Sequence, residues 1–239
     1  GEESTTWLEP YGFRFEKDSP FVPAYLVPQE GLTDDIPSYE YALYEGASQW
    51  SVERPARALA LLGEPLFQRN PDHYTSHAQS PYDHTTKYAA IAQSGRLALF
   101  AFPLGRSYYN QGYWVYRQMF QKVLKELLPT PLIQTDSPMS AEVTLTHQDV
   151  RTDPPQKERY MVHIVNYSPL RQSPRHSVFC EDPIPLSNVA VRLNLPLKVA
   201  AARAVIQGTD LEVHRTPAGG VEVLVPRVPI YEVLSFEVS

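Results

Sequence analysis

The chain has 239 residues, 43% hydrophobic, 20% charged and 11% aromatic, with a formal net charge of −6. That is a globular profile, long enough for one large domain or two modest ones. No basic run marks a nucleic-acid surface and no apolar run is long enough to span a bilayer, so neither partner is expected.

Cys180 is the sole cysteine, so no intrachain disulfide can form. The opening Gly1-Glu2-Glu3-Ser4-Thr5-Thr6 lacks the basic and apolar regions of a secretory signal. A reducing, cytoplasmic setting is the expectation. The first residue is not Met, which suggests a processed product or a piece of a longer protein. Proline (23) outnumbers glycine (11), which favours stiff, ordered connections.

Residues 1–50 are aromatic and weakly periodic, with short strands expected at Tyr25-Leu26-Val27 and over 39–44. Residues 52–62 have helix composition (Ala56, Ala58, Leu59, Ala60, Leu61, Leu62), with Pro55 in the first turn and Gly63 as the stop. Residues 64–86 are polar, hold His73, His77 and His84, and read as a long surface loop. Strands over 87–93 and 96–103 flank a Ser94-Gly95 turn. Apolar on both faces, the second reads as a central strand covered by helices. A helix follows over 113–128, with Tyr113, Tyr116, Phe120, Val123, Leu124 and Leu127 as its apolar stripe.

The pattern changes at Leu128-Pro129-Thr130-Pro131. Beyond it, apolar residues alternate with period two, and strands are expected at 141–147, 158–167, 189–195, 199–206, 211–214, 221–225 and 231–238. Ala218-Gly219-Gly220 reads as a hairpin turn. Two domains are therefore expected: an α/β unit over 1–130 and a small antiparallel β-sandwich over 131–239.

No complete catalytic constellation is visible. Glu40, Glu45 and Glu64 lie near element ends, but the eight βα units that would hold a carboxylate pair are missing, so they read as surface acids. His73 and His77 have the i, i+4 spacing of a zinc pair, yet Pro71 and Pro81 flank them and Tyr-Thr-Ser is a poor helix former; no metal and no cofactor are expected. Cys180 sits in a Pro-rich stretch rather than on a strand-to-helix elbow, so it reads as structural. Gly105-Arg106-Ser107 is a poor match to a phosphate loop.

Gly63-Glu64-Pro65-Leu66-Phe67-Gln68-Arg69, with Thr75-Ser76-His77 and Pro81, resembles a motif of the β-galactosidase trimerisation domain found in bacterial glycoside hydrolases. The stretch from Gly95 to Gly105 resembles that domain's last core strand, and Tyr108-Tyr109 with the helix to Leu128 resembles its final helix. Val162-His163-Ile164-Val165-Asn166-Tyr167 and Glu181-Asp182-Pro183-Ile184-Pro185-Leu186 resemble the C-terminal β-domain of the same proteins.

The resemblance implies a partial glutamine-amidotransferase-like (flavodoxin-like) three-layer α/β domain, followed by a small antiparallel β-sandwich. It implies a non-catalytic assembly segment of a glycoside hydrolase, β-galactosidase-like or fucosidase-like, whose catalytic barrel lies outside this chain. No catalytic residue carries over. A homo-oligomer, dimer or trimer, is expected. Arg69, His73, His77 and His84 are the candidates for contact with a ligand or a neighbouring subunit. A doubly wound sheet without its first strands would expose a long edge, so covering or self-association is expected there. The alternative is a carbohydrate-binding module whose platform draws on Trp7, Trp50, Trp114, Tyr108, Tyr109 and Tyr113. A third reading, an enzyme built on the Arg69/His73/His77 loop, is the weakest of the three.

Overall fold

A computed structural model describes residues 5–34, 36–150, 157–168, 171–172, 178–179 and 182–238. The chain divides into two compact units, Gly1–Pro129 and Thr130–Ser239.

The first unit opens with a 3-10 helix, Thr6–Tyr11. Seven strands follow: β1 Phe13–Asp18, β2 Ala24–Pro28, β3 Tyr41–Leu43, β4 Ser48–Val52, β5 Arg57–Pro65, β6 Tyr82–Ser94 and β7 Leu97–Phe100. The helices α1 Leu104–Gln111 and α2 Trp114–Leu127 close the unit. Strands β3-β2-β5-β6-β7 form one antiparallel sheet, and β1 pairs with β4 in a second. One face of the large sheet packs on α2 through Leu26, Leu59, Leu62 and Ile91 against Val115, Tyr116, Met119 and Val123. Ala89 and Ala92 of β6 belong to a second cluster with Phe13 and Trp50 of the small sheet. Each fully buried large apolar side chain contributes about 1.5–3 kcal/mol.

This corrects the expected fold class. The first unit is no three-layer flavodoxin-like domain, because its sheet is antiparallel and its helices are few. The largest error falls on β5, expected as a helix from its Ala and Leu content. In the centre of the sheet β5 is buried on both faces, and tertiary burial overrides helix propensity. Gly63 ends no helix. A Cβ there would stand 2.8 Å from Tyr82 Cε2 and 2.9 Å from Tyr25 Cβ, so glycine is what lets β5 pass beneath those side chains.

Strand β7 is an edge strand, not a central one. It is apolar on both faces because Ala98 and Phe100 pack on the α2 side while Leu97 and Leu99 pack on the small-sheet side. The outermost strands β3 and β7 have only three and four residues, and β7 pairs with just residues 91–94 of the 13-residue β6. In α2 the buried stripe is Val115, Tyr116, Met119 and Val123, whereas Phe120 and Leu124 of the expected stripe are exposed.

The second unit contains β8 Ile133–Thr135, β9 Ala141–Val150, β10 Lys157–Asn166, β11 Arg171–Gln172, β12 Val178–Phe179, β13 Leu186–Leu193, β14 Val199–Ala204, β15 Thr209–Leu211, β16 His214–Arg215, β17 Val221–Val228 and β18 Tyr231–Val238. Two sheets, β15-β14-β18-β10-β9 and β16-β17-β13-β8, enclose one core; β11 and β12 pair separately. Val162, Ile164, Leu234 and Phe236 of the first sheet meet Val189, Val191, Leu193 and Val223 of the second.

Residues 211–214, expected as one strand, split between the sheets: Leu211 pairs with β14 and His214 with β17. Strand β17 continues through Pro226, past the expected end at Val225. Its neighbour β16 reaches only Val221 and Glu222, so the missing N–H breaks no ladder on that side. Cys180 lies outside the described residues.

Candidate functional site

The loop 66–81 joins β5 to β6. Its base is held by backbone and side-chain bonds. Leu66 N donates to Pro81 O at 3.0 Å, and Ser80 Oγ donates to Phe67 O at 2.6 Å. Tyr25 Oη donates to Ser80 O at 2.6 Å, and Tyr44 Oη to Gln79 Oε1 at 2.9 Å. Gln68 bonds the backbone of Val22 reciprocally: Nε2 donates to Val22 O at 2.7 Å, and Oε1 accepts from Val22 N at 2.8 Å. These contacts order the loop without burying its tip.

At the tip, Asn70 Oδ1 accepts from Asp72 N and His73 N, at 2.9 and 2.8 Å, and Asn70 N donates to His73 O at 2.9 Å. This tight turn brings residues 69–70 back against 73–74. The Arg69 guanidinium then lies 4.7 Å from the Tyr74 ring centroid, and the Phe67 and His73 rings are 5.5 Å apart. Cation–π contact at an exposed site is worth about 0.5–1 kcal/mol. Tyr74 is 70% exposed, and Arg69, His73 and His77 are exposed beside it. Thr75 Oγ1 donates to His77 O at 2.7 Å, which fixes the backbone there.

His84 belongs to a different setting. On β6, its Nδ1 lies 2.8 Å from Asp83 Oδ2, and its Nε2 lies 3.9 Å from Glu64 Oε2 of the paired strand β5. The turn thus joins Arg69 and His73, while His84 sits in a strand-borne carboxylate pair. Among the described residues no group of three His, Cys, Asp or Glu is placed to hold a metal. The loop offers an exposed aromatic and cationic surface around Arg69, His73 and Tyr74. Tyr74 and Phe67, its two ring partners, were not singled out in the sequence; their spacing from Arg69 and His73 becomes meaningful only once Asn70 makes the turn.

The six proposed platform aromatics separate by burial. Trp50 is buried, with Nε1 donating to Ser48 Oγ at 2.8 Å and its ring edge-on to Phe15 at 5.5 Å. Tyr113 is half-buried against Tyr116, with ring centroids 5.6 Å apart. Trp7, Tyr108, Tyr109 and Trp114 are exposed, Tyr109 most of all at 85%. Tyr108 and Tyr109 lie in the second half of α1, which ends at Gln111, and Trp114 begins α2 after Gly112 adopts a left-handed turn.

No helix among the described residues is long and apolar enough to cross a membrane. No protein-family profile matches the chain, and no curated protein sequence matches it. Among solved structures, α-L-fucosidase isoenzyme 2 from Paenibacillus thiaminolyticus is similar, with a TM-score of 0.83 and 24% sequence identity. The match covers 96% of this chain and 34% of the fucosidase chain. At that identity the similarity establishes the fold: this chain folds like about a third of that fucosidase chain.

Proposed function

We propose that this chain is a non-catalytic assembly segment of a glycoside hydrolase, of the fucosidase-like or β-galactosidase-like kind, with its catalytic domain outside these residues. The observation that carries the reading is the coverage of the match. The match takes in 96% of this chain, and so both units, within 34% of a single fucosidase chain. The pinned loop 66–81 supplies the contact surface. It presents Arg69, His73 and Tyr74 on an ordered turn, and aromatic and Arg side chains are enriched where proteins meet. Its partner is a second copy of the chain, in a dimer or trimer. Light scattering across a concentration range tests this: a stable oligomer that Arg69→Ala with Tyr74→Ala dissociates supports it, and a monomer at every concentration overturns it.

A second reading, carbohydrate binding, is favoured by the exposure of Tyr109 and Trp114 beside one turn. Titrating tryptophan fluorescence with galactosides and fucosides tests it; a flat signal at all concentrations removes the platform.

A further inference from the structure

The outer face of the five-stranded sheet in the second unit carries a trough of about 680 Å³. Its origin lies in the register. Arg159 of β10 stands opposite Glu237 of β18, and Glu237 opposite Ala201 of β14. In the next row on the same face, Ser235 stands opposite Arg203, and Arg203 opposite Asp210 of β15. Side chains alternate faces with period two, so both rows project outward. The small Ala201 and Ser235 lie between long neighbours, and the sheet is left hollow there.

The polar lining balances: Arg159 and Arg203 against Asp210 and Glu237. Arg203 is fixed in place, with Nη1 donating to Asp210 Oδ1 at 2.7 Å and Nη2 to Gly208 O at 2.9 Å. Arg159 Nε is shut off from solvent and has no hydrogen-bond acceptor among the described residues. No protein hydrogen bond at that nitrogen opposes a rotation that would aim the guanidinium into the trough. A buried unmatched donor is unfavourable, and an acceptor that meets it after such a rotation removes that penalty.

We infer that this trough is a binding site for a neutral saccharide. Donors and acceptors stand side by side, as vicinal hydroxyls require, and each hydroxyl both donates and accepts. Ala200, Ala201 and Val205 give an apolar wall for the C–H face of a sugar ring. The charges cancel, so an anion gains from the arginines and loses to the carboxylates, while a neutral polyol uses both. The volume falls within the roughly 300–1,000 Å³ of small-ligand sites. The inference stands whether or not the chain self-associates, and its site is separate in sequence from the Tyr109/Trp114 turn.

The test is calorimetric titration of the full chain with L-fucose, D-galactose and lactose, with D-glucuronate as the anionic comparison. Expected is saturable binding of a neutral sugar with a Kd on the order of 1–10 mM. Ala201→Trp, at an exposed position, fills the trough and abolishes the binding with the melting temperature unchanged. Arg203→Ala weakens it at least ~10-fold by removing a fixed donor pair, and Trp114→Ala leaves it intact. No neutral-sugar binding at up to about 50 mM, well above that range, overturns the inference. So does stronger binding of glucuronate, or binding that survives both Ala201→Trp and Arg203→Ala. Loss on Trp114→Ala alone assigns the sugar to the aromatic turn and overturns it as well. Light scattering on the same samples reports the assembly reading separately.

Discussion

Gly63 and Tyr82 are in direct apposition: a Cβ on Gly63 would lie 2.8 Å from Tyr82 Cε2. The Tyr82 ring is also edge-on to Tyr25, with centroids 5.4 Å apart, so it has little room to withdraw. Gly63→Ala is therefore expected to destabilise the first unit by about 1–3 kcal/mol, the usual cost of overpacking. Chemical denaturation measures this, and a change below about 0.5 kcal/mol would mean that the two rings move freely.

Glu232 is fully buried yet makes no ion pair among the described residues. Its Oε1 accepts from Ile206 N and Val233 N, both at 2.9 Å, and its Oε2 accepts from Gln207 Nε2 at 2.7 Å. Glu232→Ala leaves the Ile206 and Val233 N–H groups without this acceptor and is expected to cost about 2–4 kcal/mol. Glu232→Gln keeps one acceptor oxygen but sets an amide N–H against a donor, and should fall between Ala and wild type. Equal stability of all three proteins in urea would contradict this.

Tyr116 is buried on the inner face of α2 and donates to Ala42 O at 3.0 Å. Burial first, then the neighbouring phenols Tyr113 and Tyr44, raise its pKa above the ordinary tyrosine value. Burial likewise raises Tyr25, Tyr41 and Tyr44. A phenol that holds its proton more tightly when folded favours the fold fully below the unfolded pKa of about 10, and that contribution is lost as pH rises beyond it. Stability should thus fall above about pH 10, and less steeply in Tyr116→Phe. That variant should itself cost about 1 kcal/mol at neutral pH through the unpaired Ala42 carbonyl. Melting curves between neutral pH and pH 11 decide the slope.

The three tryptophans should respond differently to a polar quencher. Trp50 is 6% exposed, against 61% for Trp7 and 50% for Trp114. Acrylamide is expected to quench two emitters readily and leave one blue-shifted component. Trp50→Phe should remove that component. Its persistence in the variant would place the protected indole elsewhere.

The loop 66–81 separates stability from contact. Arg69→Ala, His73→Ala and His77→Ala alter exposed side chains and should each change stability by less than about 0.5–1 kcal/mol. Gln68→Ala removes both bonds to Val22 and should cost about 1–2 kcal/mol, with faster proteolysis between 66 and 81. If Arg69→Ala proved the more damaging to folding, the loop would be structural rather than a contact surface.

Much of the local pattern was legible in the residues alone. The alternation of Val189, Val191 and Leu193 marked β13, the step of Tyr116 and Val123 marked α2, and Leu128-Pro129-Thr130-Pro131 marked the change of pattern that coincides with the division between the units. In each case a local period records one buried face, and a period needs only neighbours in sequence. The largest errors came where burial was two-sided. Strand β5 is apolar all round because α2 covers one face and the small sheet the other, so its Ala and Leu residues carried no strand period. For the same reason β7 looked central although it lies at an edge.

The candidate site divides the same way. Arg69, His73 and His77 could be picked out as polar residues in a long connection. That Arg69 meets Tyr74 depends on the turn made by Asn70, and that His84 faces Glu64 depends on the β5–β6 register. The trough of the second unit was invisible in sequence, because Arg159, Arg203 and Glu237 meet only when three strands distant along the chain are laid side by side. By itself the sequence determined where apolar faces recur along the chain. Only the tertiary structure decided which faces are covered twice and which long-range neighbours meet, since both follow from strand pairing across the chain.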